Sequence, residues 1–385
     1  LTWTANTEPD LAGYRLYRSP QGAGTWVVVQ NAMVTGNTLL DFGLPPSTSY
    51  DYRLAAIDTS DNYSARATTS GTSAALPSIP QPKLADCPAA TTSPQTESQL
   101  RGALANANPG DVIRLAANTT YNFAWFTMTR SGTAAAPIWI CGPKSAVIDG
   151  QGTSDGRGLR LDGVSYVNVI GFTMRNGSKG IQVKNSSHVI VSNLTLKHIG
   201  DEAIHLLANT TDSYVVGNIV DGTGVEPGRA FYGEGVYIGT ARENRCQYSD
   251  CQPDRSDRNV IAFNQISNTT SETVEVKAGA SDGWIFGNTL DGASMTSDRP
   301  SPIVIMGNRW VIAENVISHP NEDAIQVWTA DYEQQFGLEN QIFRNTLGTS
   351  VTGYTARIGT LSAGTMVGCD NDAGQLGVTN IACQK

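Results

Sequence analysis

Much of the chain consists of short runs in which apolar and polar residues alternate. Alternation with period two, together with many Val and Ile residues, predicts β-strands and excludes a helical solenoid. Several runs end at an asparagine, namely Asn193, Asn218, Asn264, Asn288, Asn315 and Asn345, with successive gaps of 25, 46, 24, 27 and 30 residues. All gaps but one match a single coil of a parallel β-helix, and stacked asparagines can bond to one another between coils. The long gap predicts an insertion over roughly 221–258.

A second strand recurs in every coil and can be aligned by its two inward aliphatic residues. The predicted pairs are Leu159/Leu161, Ile181/Val183, Ile204/Leu206, Val236/Ile238, Val274/Val276, Ile303/Ile305 and Ile325/Val327. The residue between the members of a pair must point outward. This predicts an outward column of Arg160, Gln182, His205, Tyr237, Glu275, Val304 and Gln326. A second outward column follows, with Asp162, Lys184, Leu207, Gly239, Lys277, Met306 and Trp328.

The corner that enters this strand carries carboxylates in three consecutive coils. The corner column reads Arg157, Lys179, Glu202, Glu234, Glu272, Ser301 and Asp323. Stacked like charges repel, and a hard divalent cation with oxygen ligands relieves the repulsion. We therefore expect Ca²⁺ at Glu202, Glu234 and Glu272, with Asp201 beside them. The alternative is that these are solvated corner carboxylates without a metal.

Lys277 lies in the same coil as Glu272 and Glu275. A lysine beside a bound divalent cation is harder to protonate, so its pKa is expected to fall toward the range of a general base. The alternative is a surface lysine paired with Glu275. His205 and Tyr237 lie on adjacent coils, and we count them with Glu275 and Lys277 as candidate catalytic residues.

The rest of the chain predicts two further segments. Residues 1–75 contain short alternating runs separated by turn residues, which favours a small β-sandwich, and residues 76–90 form a Pro-bearing linker before a β-helix domain at 91–385. Within that domain, Leu100, Ala103, Leu104 and Ala107 have helical spacing, which predicts a short helix covering the end of the stack. The fold class is therefore all-β.

Charge and cysteine content narrow the functional classes. A net charge of −9 argues against general nucleic-acid binding, and no apolar run is long enough for a membrane span. The six cysteines lie in three neighbourhoods, Cys87 with Cys141, Cys246 with Cys251, and Cys369 with Cys383. Connectivity cannot be deduced from the sequence alone, but we expect Cys246–Cys251 and Cys369–Cys383 bridges, which suit a secreted protein; free buried thiols are the alternative.

Three stretches resemble known families. The segment "TESQLRGALANANPGDVIRL" resembles the N-terminal cap of right-handed parallel β-helix polysaccharide lyases. The coil "ETVEVKAGASDGWIFGN" is similar to one in the alginate lyase and chondroitinase B group and in family nine pectate lyases. "GLPPSTSYDYRLAAID" resembles part of a fibronectin type III domain.

The lyase resemblance implies calcium-assisted β-elimination on a uronate-containing polysaccharide. It implies Lys277 as the base, Glu202, Glu234 and Glu272 as calcium ligands, and a secreted enzyme. In the alginate lyase group an arginine follows one coil later, whereas this chain has "PIVIMGN" there; Arg242, Arg229 or Arg309 can substitute.

Other functions remain open at this stage. A glycoside hydrolase would use Asp201/Glu202 with Glu234, or Asp323/Glu322, and a uronate epimerase is a third enzyme class. A carbohydrate-binding or adhesion protein would use aromatic residues for stacking, namely Trp328, Tyr332, Phe336, Tyr232 and Tyr237. Trp328, Tyr232 and Arg229 are the candidate substrate-binding residues under the enzymatic scheme. We expect a monomer acting on an acidic polysaccharide.

Overall fold

The architecture comes from a computed structural model. It describes residues 1–29, 33–39, 41, 44, 48–73, 87–122, 125–154, 158–296, 298, 301–329 and 335–384. The chain forms two compact units, one built mainly from Leu1–Ser78 and the other from Ile79–Val367 with Asn371–Ala382. Most of the predicted linker 76–90, together with Arg157 and Tyr332, lies outside the described residues.

The first unit contains a small antiparallel sheet. Its strands are β1 (Leu11–Pro20), β2 (Val27–Val28), β3 (Ser49–Asp58) and β4 (Ala67–Thr72), in the spatial order β2, β1, β3, β4. Leu16, Val29, Tyr50 and Tyr52 pack together on one side of this sheet. The described part of this unit shows one sheet of named strands, so the likeness to a fibronectin type III sandwich stays a prediction.

The second unit is a parallel β-helix. Each coil contributes three short strands, and the strands of successive coils pair in parallel to form three long sheets. In chain order they are β5 (Val112–Arg114), β6 (Thr120–Asn122), β7 (Trp125–Met128), β8 (Ile138–Cys141), β9 (Val147–Asp149), β10 (Gly158–Asp162), β11 (Ser165–Ile170), β12 (Thr173–Arg175), β13 (Ile181–Lys184), β14 (Ser187–Ser192), β15 (Thr195–Lys197), β16 (Ile204–Leu207), β17 (Tyr214–Val216), β18 (Ile219–Asp221), β19 (Val236–Ile238), β20 (Val260–Ala262), β21 (Gln265–Ser267), β22 (Val274–Val276), β23 (Trp284–Phe286), β24 (Thr289–Asp291), β25 (Ile303–Ile305), β26 (Val311–Ala313), β27 (Val316–Ser318), β28 (Ile325–Val327), β29 (Gln341–Phe343), β30 (Thr346–Leu347), β31 (Tyr354–Ile358), β32 (Met366–Val367) and β33 (Gly377–Thr379). The all-β prediction and the parallel β-helix are confirmed.

The sheet that carries the site consists of β7, β10, β13, β16, β19, β22, β25, β28, β31 and β33. We call it the site sheet. Every predicted inward pair on it is buried, and these residues belong to one continuous apolar core. The alternation therefore correctly identified which residues face inward.

An asparagine ladder runs along one corner of the stack. It contains Asn218, Asn264, Asn288, Asn315, Asn345 and Asn371. The side-chain Nδ2 of each of the first five donates a hydrogen bond to Oδ1 of the next, at 2.9 Å. Asn193 was expected in the ladder and is not part of it. Leu194 takes the equivalent position, since its backbone N–H donates to Asn218 Oδ1 (2.9 Å), and Asn193 has a positive φ of 49° one residue earlier.

The N-terminal end of the stack is covered by α1 (Glu97–Asn106). Thr96 caps this helix by accepting a hydrogen bond from the Gln99 backbone N–H (3.3 Å), and Leu100 and Leu104 are fully buried against the first coils. The six cysteines form three disulfides, the two expected bridges Cys246–Cys251 and Cys369–Cys383, and Cys87–Cys141, whose connectivity the sequence left open. No helix among the described residues is both long enough and apolar enough to cross a membrane.

The extra residues of the long coil lie on both sides of β19. They include two 3-10 turns, Ala230–Tyr232 and Arg242–Asn244, and the short helix α2 (Arg245–Tyr248). The buried carboxylate of Asp254 ties this insertion to the neighbouring coil. It accepts hydrogen bonds from the backbone N–H groups of Ala208 and Asn209 and from the hydroxyls of Thr240 and Ser256, at 2.5–2.7 Å.

Candidate active site

The site sheet aligns the predicted outward column in consecutive strands. Arg160 pairs with Gln182, Gln182 with His205, His205 with Tyr237, and Tyr237 with Glu275. The column continues through Val304 and Gln326. The same register places the corner residues Glu202, Glu234 and Glu272 on adjacent coils, because the Ala203 backbone N–H donates to Glu234 O and the Gly235 N–H to Glu272 O.

Three buried glutamates converge at the centre of this sheet. Carboxylate oxygens of Glu234, Glu272 and Glu275 all lie within 4.8 Å of one another. Burial raises the pKa of Glu234 well above its ordinary value, and the charges of Glu275, Glu202 and Glu272 raise it further. The triad is therefore a place where negative charge is crowded and a cation would be favoured.

The other two expected metal ligands are paired with cationic side chains. Glu202 accepts from Lys179 Nζ (2.5 Å) and lies 2.8 Å from His205 Nδ1. Asp201 receives two hydrogen bonds from Arg229, at 2.5 and 2.8 Å, and lies 3.3 Å from Lys179 Nζ. Burial raises the pKa of Glu202, but Lys179 and His205 outweigh it and hold the pKa well below its usual range. The structure thus brings Glu275, rather than Glu202 or Asp201, into the cluster with Glu234 and Glu272.

Lys179 is a residue that the sequence reasoning placed in the corner column without giving it a role. It lies directly before Glu202 in that column, so it could have been recognised as the partner that neutralises Glu202. Burial lowers the pKa of Lys179, but Glu202 and Asp201 outweigh this effect and raise it above its ordinary value.

Lys277 lies beside the glutamate triad and pairs with one member of it. Its Nζ is 2.5 Å from Glu275 Oε1 and 5.4 Å from the centre of the Tyr237 ring. Burial lowers the pKa of Lys277, but Glu275, and more weakly Glu234 and Glu272, outweigh this and raise it above its ordinary value. The sequence predicts a lower Lys277 pKa only when a cation is bound beside it. With the carboxylates alone, the Lys277 pKa is raised instead.

Tyr237 and His205 stand edge to face on neighbouring strands, with ring centres 4.4 Å apart. Burial and the charges of Glu275 and Glu234 raise the pKa of Tyr237 well above its ordinary value, so the phenol keeps its proton at neutral pH. Both nitrogens of His205 face acceptors, Nδ1 the Glu202 carboxylate and Nε2 the Gly239 carbonyl oxygen at 2.9 Å. Both ring nitrogens of His205 therefore contact other groups of the protein.

The insertion forms one wall of a groove of about 460 Å³ over this part of the site sheet. Arg229, stacked 4.4 Å from the Tyr232 ring, lies along the wall, and Phe231 and Tyr232 are half exposed at its edge. Two further residues line the groove. Gln182 belongs to the predicted outward column but was given no role, and Tyr248 was not predicted from the sequence. Aromatic side chains beside a few convergent polar groups are typical of a ligand-binding site.

Some predicted residues lie away from the groove centre. Arg242 is exposed and is not among the groove-lining residues, although Ala241 and Glu243 on either side are. Arg309 is not among the groove-lining residues either; its Nε and Nη2 donate to the two carboxylate oxygens of Asp282, at 2.6 and 2.8 Å. Trp328 lies two coils beyond Lys277 in the same outward column and is 37% exposed. Asp323 is fully buried and bound by Arg357, which also holds Glu322.

The glutamate triad could hold a divalent cation. Its three carboxylates have oxygens within 4.8 Å of one another, and Lys277 contacts one of them, Glu275. Carboxylate oxygens are the ligands that Ca²⁺ prefers. Glu234, Glu272 and Glu275 thus suit a calcium ion by charge and ligand type.

Comparisons with known proteins found similar chains among solved structures. No protein-family model matches the chain, and no curated protein matches it. Among solved structures, the chain is similar to an alginate lyase from Paenibacillus sp. str. FPU-7, at 27% sequence identity and a TM-score of 0.65; the match covers 76% of this chain and 96% of that one.

Two more distant structures also overlap with the chain. A pectate lyase matches at 15% identity and a TM-score of 0.46, over 71% of this chain and 72% of its own. A family 28 exopolygalacturonase from Yersinia enterocolitica matches at 13% identity and a TM-score of 0.40, over 98% of this chain and 92% of its own.

Proposed function

We propose that this chain is a secreted polysaccharide lyase that cleaves a uronate-containing polymer by β-elimination in the groove over the site sheet. The observation that carries the proposal is the position of Lys277, directly after β22, beside Tyr237 on the adjacent strand β19. The Lys277 Nζ lies 5.4 Å from the centre of the Tyr237 ring, next to three converging carboxylates. Similarity to an alginate lyase supports it, since that match covers nearly all of the other chain. The three disulfides suit an oxidising compartment outside the cell.

Lys277 and Tyr237 divide the two proton transfers between them. The Lys277 amine takes the proton from C5 of the uronate, and the electron pair of the C5–H bond forms the new C4–C5 double bond. The C4–O bond breaks, and the departing oxygen takes the Tyr237 hydroxyl proton. The Lys277 ammonium then returns a proton to the Tyr237 phenolate, so no proton is gained or lost.

The carboxylates around Lys277 set the condition for this step. Glu275 favours the charged ammonium, so the amine becomes available only when that negative charge is offset. A Ca²⁺ ion held by Glu234, Glu272 and Glu275 would offset it and would mask the charge of the substrate carboxylate, which acidifies C5–H. Lys179 and Arg229 keep Asp201 and Glu202 neutralised and hold the wall of the groove in place.

The groove wall suggests how a sugar is held. The half-exposed rings of Phe231 and Tyr232 can stack on sugar faces, and the Arg229 guanidinium can hold a carboxylate on its exposed side. Trp328 offers a further stacking surface two coils away. Alginate is the first substrate to test, because the similar structure is an alginate lyase.

The test is a panel of acidic polysaccharides with and without a chelator. A lyase product absorbs ultraviolet light through its new double bond, so we expect rising absorbance on at least one polymer and its loss when calcium is removed. Reducing ends that appear without absorbance would contradict the proposal. Absorbance that rises equally with and without the chelator would support lyase activity and contradict a role for calcium.

A glycoside hydrolase is the second candidate, and the raised pKa of Glu234 is the observation in its favour. A protonated Glu234 close to Glu275 matches the acid and nucleophile of a retaining hydrolase, whose carboxyl groups lie about 5–5.5 Å apart. The pairs expected from the sequence fit less well, because Asp201, Glu202, Glu322 and Asp323 are each bound by a cationic side chain. The same panel separates the two functions.

A further inference from the structure

The groove ends at Gln182, and a cationic side chain lies just beyond it. Gln182 lines the groove, and its Oε1 accepts from Arg160 Nε and Nη2, both at 3.3 Å. Arg160 is the next residue of the same outward column, on the adjacent strand. Its guanidinium lies 4.5 Å from the centre of the Trp125 ring, one strand further along the site sheet.

Arg160 has no carboxylate partner among the described residues, in contrast to three other arginines of the β-helix. Arg175, Arg258 and Arg309 each donate to an aspartate at 2.6–2.7 Å. Within the described part of the chain, Arg160 contacts a neutral amide and an aromatic face. The carboxylate two residues on, Asp162, lies 3.5 Å from Lys184 instead. A half-buried guanidinium with neutral partners keeps its full attraction for an anion.

The spacing between Arg160 and the reactive residues matches a polysaccharide. Arg160, Gln182, His205, Tyr237 and Glu275 occupy consecutive strands, so Arg160 is four strands, or about 19 Å, from Glu275 at a strand spacing of about 4.8 Å. A linked sugar ring advances its chain by roughly one such spacing. A polymer lying along the groove therefore reaches Arg160 about four sugar units from the bond that is cleaved.

We propose that Arg160 and Trp125 form a distal subsite that binds the carboxylate of a uronate about four units from the cleaved linkage. The guanidinium holds the carboxylate with two hydrogen bonds, and the Trp125 ring keeps the guanidinium plane in place. This inference rests on the proposed function only in requiring that the groove holds an acidic polysaccharide. The subsite recognises the length and the negative charge of the polymer and takes no part in the reaction itself.

The test compares oligosaccharides of increasing length on wild type, Arg160→Gln and Arg160→Lys. For oligomers long enough to reach the subsite, we expect Arg160→Gln to raise KM about tenfold with kcat unchanged, and Arg160→Lys to recover part of the loss. Trimers or shorter oligomers should show no difference from wild type. Arg175→Gln is the matched control, since Arg175 lies on β12, outside the site sheet, and should leave KM unchanged at every length.

A KM for long oligomers that Arg160→Gln leaves unchanged would overturn the subsite. An equal rise for short oligomers would also overturn it, because Arg160 would then only position Gln182. Retardation of the protein in gels containing alginate or a neutral glucan separates this inference from the proposed function. If alginate retards wild type more than Arg160→Gln, and wild type releases no unsaturated product, the result would support the subsite and contradict the lyase.

Discussion

At the scale of single residues, the site is defined by how each charge is neutralised. Lys179, Arg229 and Lys277 all pair with carboxylates, yet only Lys277 contacts a carboxylate of the glutamate triad. Tyr237 lies between the triad and His205 and keeps its proton because its pKa is raised. The arrangement separates residues that stabilise the groove from the two residues, Lys277 and Tyr237, that we propose exchange protons.

The role of Tyr237 as proton donor is tested by Tyr237→Phe. The change removes the hydroxyl and leaves the ring that packs against His205, so the fold should remain intact. We expect kcat to fall by about 10² to 10³ with KM within a factor of about three. Steady-state kinetics on the polymer that wild type cleaves gives both constants, and an unchanged kcat would show that the leaving oxygen is protonated by another group.

The sequence predicted which side chains face the groove but not how they pair. Alternation fixes the direction of His205, Tyr237 and Glu275, because a residue between two inward aliphatic residues must point outward. It does not fix which carboxylate a flexible lysine reaches. Lys179 reaches the next coil and neutralises Glu202, whereas Lys277 bends back to Glu275 within its own strand. The carboxylate cluster in the structure therefore contains Glu275 with Glu234 and Glu272, while Glu202 pairs with Lys179.

At the scale of elements, the asparagine ladder holds the coils in register. The Asn288 side chain donates to Ile261 O and Asn315 Oδ1, both at 2.9 Å, and accepts from Asn264. All of these groups are buried, so each needs its partner. The repeat of Asn residues predicted this ladder, but the one-residue shift at Leu194 has no signal in the spacing.

Replacing a ladder residue should weaken the stack measurably. Asn288→Ala leaves several buried backbone and amide groups without a partner, and we expect it to lower the free energy of unfolding by about 2–4 kcal/mol. Thr289→Ala is the control, because Thr289 is the exposed neighbour on β24. Denaturant titration followed by circular dichroism measures both, and equal midpoints for the two variants would contradict the role given to the ladder.

At the scale of the β-helix, coil stacking collects like charges from distant parts of the sequence. Glu234 and Glu275 are separated by 41 positions in the sequence and lie within 4.8 Å in the structure. The insertion covers this charge cluster with aromatic and cationic side chains. The asparagine spacing predicted where the insertion lies in the sequence but not the path that its backbone takes. Its turns around β19 depend on contacts such as those of Asp254, which no periodicity predicts.

This charge cluster should make stability depend on pH and calcium. The pKa of Glu234 is raised in the folded chain, so above pH 4.5 the unfolded chain loses this proton first and stability falls as the pH rises toward the folded pKa. Between pH 4.5 and the folded pKa, each pH unit lowers the free energy of unfolding by about 1.4 kcal/mol. Glu234→Gln should abolish this pH dependence, because the amide does not titrate. The melting temperature of metal-free protein, measured between pH 4.5 and 7.5, tests this difference between variant and wild type.

Calcium should act in the same experiment through the same residue. We expect Ca²⁺ to raise the melting temperature of wild type at neutral pH and to have little effect on Glu234→Gln, because a neutral amide is a weaker ligand than a carboxylate. A calcium shift of equal size in both proteins would place the ion elsewhere.

The central claim is that the Lys277 amine removes the proton from the substrate. The most direct measurement is the initial rate of ultraviolet-absorbing product for wild type, Lys277→Ala and the exposed-lysine control Lys197→Ala on the polymer that wild type cleaves. The account predicts a loss of at least about 10³-fold for Lys277→Ala, with polymer binding retained, and wild-type rates for Lys197→Ala. Lys277→Ala that forms the unsaturated product as fast as wild type would contradict it.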